Sequence, residues 1–223
     1  MTRGQKRRLY MIIGALAAAL VIVLAATAGL QWIRARRGES QAPVGEESIK
    51  TPAYVTKMYL EPNEYSRPGD PLEEVNGIVI HYVGNPNTSA KNNRNYFNSL
   101  ASTGATYASS HFIVGLEGEV IQCVPLDEIS YCSNSRNADT VAIECCHPDE
   151  TGEFNEMTYA SLVKLAGWLC YTYELDEEQV IRHYDVKGKL CPLYYVEHED
   201  AWLQMKKDIM AEKEALIAEN AGK

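Results

Sequence analysis

Hydrophobic and polar positions divide the 223-residue chain into an apolar N-terminal run, a short polar passage, and a longer region where strand and helix patterns alternate. From Leu9 to Ile33 the chain reads LYMIIGALAAALVIVLAATAGLQWI, without a charged residue. As a helix rising about 1.5 Å per residue this run spans roughly 37 Å, enough to cross a bilayer core of about 30 Å with some tilt. A helix packed on a soluble core would carry a polar stripe, and none is present. The pattern predicts a transmembrane helix over residues 9–33, preceded by a basic tail at 1–8. The triplet Ala26-Thr27-Ala28 has the A-x-A form cut by signal peptidases, so a cleaved signal peptide competes with an anchor. The apolar run continues past that triplet, which favours an uncleaved anchor. Residues 34–54, polar and containing two prolines, read as a linker.

Beyond the linker the periodicity changes. Gly77 to Val83 (GIVIHYV) is β-branched, short and bounded by turn residues, and reads as a buried strand with His81 near its C-terminal end. Ser89 can cap a helix running to about Leu100, with Tyr96, Phe97 and Leu100 as its apolar face. His111 to Val124 is two apolar runs joined through Leu116-Glu117-Gly118, a hairpin signal. Thr140 to Cys145 is a further strand that carries Glu144 near its end on the same face as Ala142. From Thr158 a helix is marked by Tyr159, Leu162, Val163, Ala166, Leu169, Cys170 and Tyr173 at spacings of three and four, which explains Cys170 as a core residue. Val180 to His183 reads as a strand, and a final helix turns Trp202, Met205 and Ile209 inward before fraying into a charged tail over 213–223. The order predicts an α/β domain over about residues 55–212, with a mixed central β-sheet flanked by helices.

Charge narrows the partners. Residues 1–37 hold seven of the 21 Lys+Arg and no acid, so the remainder carries 14 basic against 30 acidic groups, a net of about −16. A body that acidic is repelled by nucleic acid and by anionic headgroups, which excludes a nucleic-acid partner. The basic flanks of the apolar run, four residues before it and three after, favour a cytoplasmic N-terminus only slightly. The cysteines at 123, 132, 145, 146, 170 and 191 are irregularly spaced and include no C-x-x-C, which argues against a disulfide scaffold. Cys145 and Cys146, adjacent in a strand, point to opposite faces, and a Cys123–Cys132 bridge is left open.

Candidate chemistry lies in Val180 to Pro192 (VIRHYDVKGKLCP), where His183 and Cys191 sit eight positions apart around a Lys-Gly turn with no regular structure to hold them. A zinc site needs three or four His, Cys or carboxylate ligands, and a catalytic one keeps a position open. An H-x₇-C pair by itself is weak, equally readable as a loop histidine and a buried cysteine. His81 strengthens it: if its strand neighbours the one ending at His183, both imidazoles meet at one sheet edge and Cys191 can close a three-ligand set.

The runs GIVIHYVGNP, SSHFIVGLEGEVIQCVP, NADTVAIECCHPD and VIRHYDVKGKLCP, in this order and spacing over about residues 74–210, resemble the zinc-dependent type 2 N-acetylmuramoyl-L-alanine amidases. That family includes phage lysozyme-type amidases and endolysins, bacterial cell-wall amidases and the animal peptidoglycan recognition proteins. The resemblance implies Zn²⁺ held by His81, His183 and Cys191, with Glu144 as acid/base and Lys189 assisting catalysis. Phage-type members carry a catalytic tyrosine where this chain has Ser110, so the glutamate variant of the mechanism fits better. His111 is expected near the site as a supporting or substrate-facing residue, and His147 and His198 are expected to face solvent. The implied function is a membrane-anchored, extracytoplasmic amidase acting on peptidoglycan, with a non-catalytic peptidoglycan-binding module as the alternative. The family's non-catalytic members commonly lack the cysteine, so Cys191 favours the enzyme.

Overall fold

A computed structural model of the chain describes residues 49–221, and the apolar run predicted as an anchor at 9–33 lies outside them. The chain divides into two units, residues 1–46 and 47–223, and the second is the body described below. No helix among the described residues is long and apolar enough to cross a membrane.

Six strands form one mixed sheet: β1 (Val55–Lys57), β2 (Ile78–Tyr82), β3 (Phe112–Val114), β4 (Val120–Gln122), β5 (Val141–Cys145) and β6 (Val180–Arg182), in the order β1-β4-β3-β5-β2-β6. The β3–β4 hairpin is antiparallel, and every other neighbouring pair is parallel. Strands β2 and β5 lie in the interior of the sheet and are apolar on both faces, as parallel strands covered by helices must be. The predicted strand at 77–83 and the predicted hairpin are both present, whereas β1, only three residues long, has no signal in the pattern.

Among the described residues five α-helices are interspersed with the strands: α1 (Ala90–Thr103) after β2, α2 (Glu156–Thr172) after β5, and α3 (His183–Lys187), α4 (Leu193–Glu197) and α5 (Glu199–Asn220) after β6. Ser89 caps α1 by accepting from the Asn92 amide, and Gly104, in the left-handed region at φ 57°, closes its C-terminus. Phe97 and Leu100 are buried as expected, but Tyr96 is 52% exposed. Adjacent helical residues are about 100° apart, and Phe97 takes the inward position.

The two faces of the sheet have different covers. Ile78, Ile80, Val141, Ile143 and Cys145 pack with α2 and α5 through Leu162, Leu169, Cys170, Trp202, Met205 and Ile209. The opposite face packs Ile113 and Ile121 against Phe97 and Leu100 of α1, with Cys146 in the same cluster. Cys145 and Cys146 therefore serve opposite faces, as adjacent strand residues should. All six cysteines are free, so the Cys123–Cys132 bridge does not form.

Helix α5 continues to Asn220 instead of fraying near residue 212. Ala, Glu, Lys and Leu dominate its last turns, all good helix formers. Lys213 also ties it to the body, donating to the Leu175 carbonyl at 2.9 Å.

Candidate metal centre

Parallel register places the chemistry. His81 on β2 and Glu144 on β5 are direct partners, so their side chains leave the same face of the sheet at the C-terminal ends of both strands. Strand β6 flanks β2 on the other side, with Arg182 opposite Ile80, and His183 follows at once as the first residue of α3. The expected strand end at His183 is therefore a strand-to-helix junction. Arg182 anchors it. Its guanidinium is buried and donates to Asp185 at 3.0 Å, Glu199 at 2.6 Å and the Tyr195 carbonyl at 2.9 Å, and it lies 5.2 Å from the Trp202 ring.

The passage to Cys191 is more ordered than its sequence suggests. Residues 183–187 form a turn of helix closed by Gly188, at φ +76°. The Tyr184 amide then donates to the Cys191 carbonyl at 3.0 Å, so backbone as well as any ligand joins the two ends of the loop.

His81, His183 and Cys191 converge, with one donor atom from each within 4.8 Å of the others. The imidazole centroids are 4.7 Å apart, and His81 Nδ1 lies 3.8 Å from the Cys191 sulfur. The far side of each ring is held by a residue of the polar segment between β4 and β5. His81 Nε2 is 3.1 Å from Ser133 Oγ, and His183 Nε2 is 2.7 Å from Asn134 Oδ1. Asn134 Oδ1 can only accept, so Nε2 of His183 carries the proton and Nδ1 presents a lone pair. That Nδ1 is buried and has no hydrogen-bond partner.

These residues fit a zinc ion: two imidazole nitrogens and a thiol sulfur, aimed inward from buried residues, with an orphaned lone pair among them. Burial, followed by the charge of neighbouring lysines, holds His183 down at about 4, while His81 is lowered well below 6.5 by burial first and then by His183 and Lys189. Both rings are thus kept neutral, the form that binds a metal. A second cluster, His81, Cys132 and Glu144, is also compact enough to hold an ion. It shares His81 with the first, and using Glu144 as a ligand would consume the carboxylate that lies beside the other three donors.

Glu144 Oε1 accepts from the Cys132 thiol at 3.5 Å, and Oε2 is buried without a partner. Desolvation pushes this carboxyl up to about 7, against the opposing pull of the Cys132 hydrogen bond and Lys189. Lys189 lines the same cavity, of about 480 Å³, which also reaches Tyr107 and Tyr131. All five residues singled out from sequence, His81, Glu144, His183, Lys189 and Cys191, therefore gather at one end of the sheet.

Two other histidines differ from expectation. His111 is wholly buried outside the cavity lining, where Nδ1 accepts from the Ala142 amide at 3.0 Å and Nε2 lies 2.9 Å from the Glu128 carbonyl. It joins β5 to the 128–130 loop. His147 is buried, not solvent-facing, against the Tyr82 ring at 5.0 Å with Nδ1 2.7 Å from the Asp149 carbonyl. His198 is exposed as expected. Ser133, Asn134 and Cys132, which touch the site residues directly, carried no sequence signal beyond lying in a polar loop after a strand.

The family model for N-acetylmuramoyl-L-alanine amidase (Amidase_2) matches residues 71–194. The chain is 35% identical over 154 residues to a probable N-acetylmuramoyl-L-alanine amidase of Bacillus licheniformis, covering 64% of this chain and 43% of that protein. It is 30% identical over 168 residues to the N-acetylmuramoyl-L-alanine amidase CwlL of the same organism, covering 70% and 46%. The chain thus spans less than half the length of these relatives. In fold it is similar to PlyL (21% identity, TM-score 0.59, 70% of this chain and 96% of that one) and to the catalytic domain of XlyA (24% identity, TM-score 0.59, 70% and 98%). With more than half of its length matched by the family model, this chain belongs to the N-acetylmuramoyl-L-alanine amidase family.

Proposed function

We propose that the chain is a zinc-dependent amidase that hydrolyses the bond between the lactyl group of N-acetylmuramic acid and the L-alanine beginning the peptidoglycan stem peptide. The observation that carries this reading is the convergence of His81, His183 and Cys191 beside Glu144, whose Oε2 is buried and unpartnered.

Zinc held by these three residues would supply a Lewis acid that polarises the amide carbonyl and makes water a nucleophile near neutral pH. Glu144, with a carboxyl raised to about 7, is suited to take a proton from water at Oε2 and deliver it to the departing amine. The Lys189 ammonium, held at the cavity wall next to Cys191, would stabilise negative charge developing on the carbonyl oxygen. Asn134 and Ser133 would keep both imidazoles in the metal-binding orientation throughout.

The apolar run at 9–33 would anchor the chain in the cytoplasmic membrane with the folded body outside, where peptidoglycan lies. An acidic body gains little from attraction to an anionic wall, and tethering would supply local concentration instead.

Mass spectrometry of a peptidoglycan digest by the purified chain, with and without a chelator, tests the activity. Free stem peptides beginning in L-alanine, released only without chelator, are expected. Binding without release by the zinc-loaded chain would leave a recognition module. Membrane fractionation followed by protease accessibility tests the anchor and its orientation.

A further inference from the structure

The cavity wall carries two lysines, and only one of them is placed to act on the reacting atoms. Lys187 and Lys189 are the cationic side chains of the lining, and Glu144 is its one carboxylate, in a body otherwise rich in acid. Arg67, Arg136, Arg182 and Lys213 are paired with carboxylates, whereas the ammoniums of Lys187 and Lys189, both exposed, are in no ion pair among the described residues. A cavity so lined attracts an anionic ligand that the rest of the surface repels.

The two lysines differ in reach. Lys187 lies four residues after His183 on α3, so both project from one face, about 6 Å apart along the helix axis. Gly188, at φ +76°, then turns the chain so that Lys189 returns beside Cys191, whose amide donates to the Lys189 carbonyl at 2.7 Å. Lys189 thus belongs to the centre and Lys187 to its outer edge.

A peptide advances about 3.5 Å per residue, so a group on the second residue of a stem peptide whose first amide lies at the ligand cluster falls roughly 3.5–7 Å away. That interval includes the offset of Lys187. We propose that Lys187 is a specificity-determining residue that pairs with a free carboxylate on the second residue of the stem peptide and so disfavours peptides in which that carboxyl is amidated. The inference rests on the amidase reading above.

The test uses the zinc-loaded full chain and two substrates, N-acetylmuramoyl-L-alanyl-γ-D-glutamyl-L-lysine with the α-carboxyl of its second residue either free or amidated. Peptide release is followed to obtain KM and kcat for each. A preference of about five-fold for the free acid is expected, the size of one good ion pair near a surface, expressed in KM and not in kcat. The ratio should fall to about one in Lys187→Gln, persist in Lys187→Arg and invert in Lys187→Glu. Equal cleavage of both substrates by the native chain, or a preference that survives Lys187→Gln, overturns the proposal. Release from neither substrate removes the amidase reading and this inference with it.

Discussion

Replacing Asn134 by glycine should weaken zinc binding without disturbing the fold, and its size follows from one hydrogen bond. Asn134 Oδ1 accepts from His183 Nε2 at 2.7 Å, fixing the tautomer that leaves Nδ1 free for metal. Once His183 binds a cation its remaining N–H becomes a stronger donor, and hydrogen bonds to charged groups contribute about 1.5–3 kcal/mol. That converts to roughly 10- to 150-fold in zinc affinity, in agreement with the ~10- to 100-fold cost of losing such outer partners elsewhere. Glycine is the right replacement because Asn134 has φ +52°, where alanine would add about 1–2 kcal/mol of backbone strain and confuse the measurement. Competition against a chromophoric chelator gives the affinity, and urea unfolding of the metal-free chain checks that stability is retained. Asn134→Asp should bind zinc at least as tightly as the native chain, since a carboxylate accepts more strongly. If Asn134→Gly binds zinc within two-fold of native, ring positioning by Asn134 is not what organises the centre.

Glu144→Gln keeps the shape of the side chain but removes its proton acceptor. It should lower kcat by about 10²- to 10⁴-fold at unchanged zinc content, and a loss under ten-fold would exclude Glu144 as the base. Burial pushes the thiols of Cys123, Cys146 and Cys170 up to about 12, so they stay protonated at pH 8. Iodoacetamide should label them slowly in the native chain and fully in denaturant, and rapid native labelling would contradict their burial. Arg182→Met removes the clamp on Asp185, Glu199 and the Tyr195 carbonyl, and should cost about 2–4 kcal/mol in urea denaturation. A cost below 1 kcal/mol would show that α3 is held by packing alone. Leu165→Ala, at a wholly buried position of α2, should destabilise by about 3–5 kcal/mol, against which a change under 1 kcal/mol would count.

The site was legible where backbone periodicity carries it. His81 and Glu144 each stand one residue from the C-terminal end of a short, strongly apolar strand, and a parallel register sets them side by side. The α2 and α5 stripes likewise follow from spacings of three and four. What escaped was set by side chains in irregular backbone. Ser133 and Asn134 act through single hydrogen bonds, and a polar loop reads the same whether or not it meets a histidine. His147 was misplaced because Pro148, Asp149 and Glu150 suggest a surface turn, yet it lies two residues past the end of β5 and is buried against Tyr82. Residues 183–187 look too short and glycine-bound for a helix, but Arg182 gives that turn tertiary support that local propensity cannot supply.

The metal-binding donors at His81 and Cys191 lie 110 positions apart in the chain. No short segment emerging during synthesis therefore contains the site, and β2, β5 and β6 must all be paired before it exists. Such distant pairings form late, after the loops between them have closed. Any metal capture by these donors would accordingly be a final step of maturation, because until the sheet is complete the chain has no centre to load.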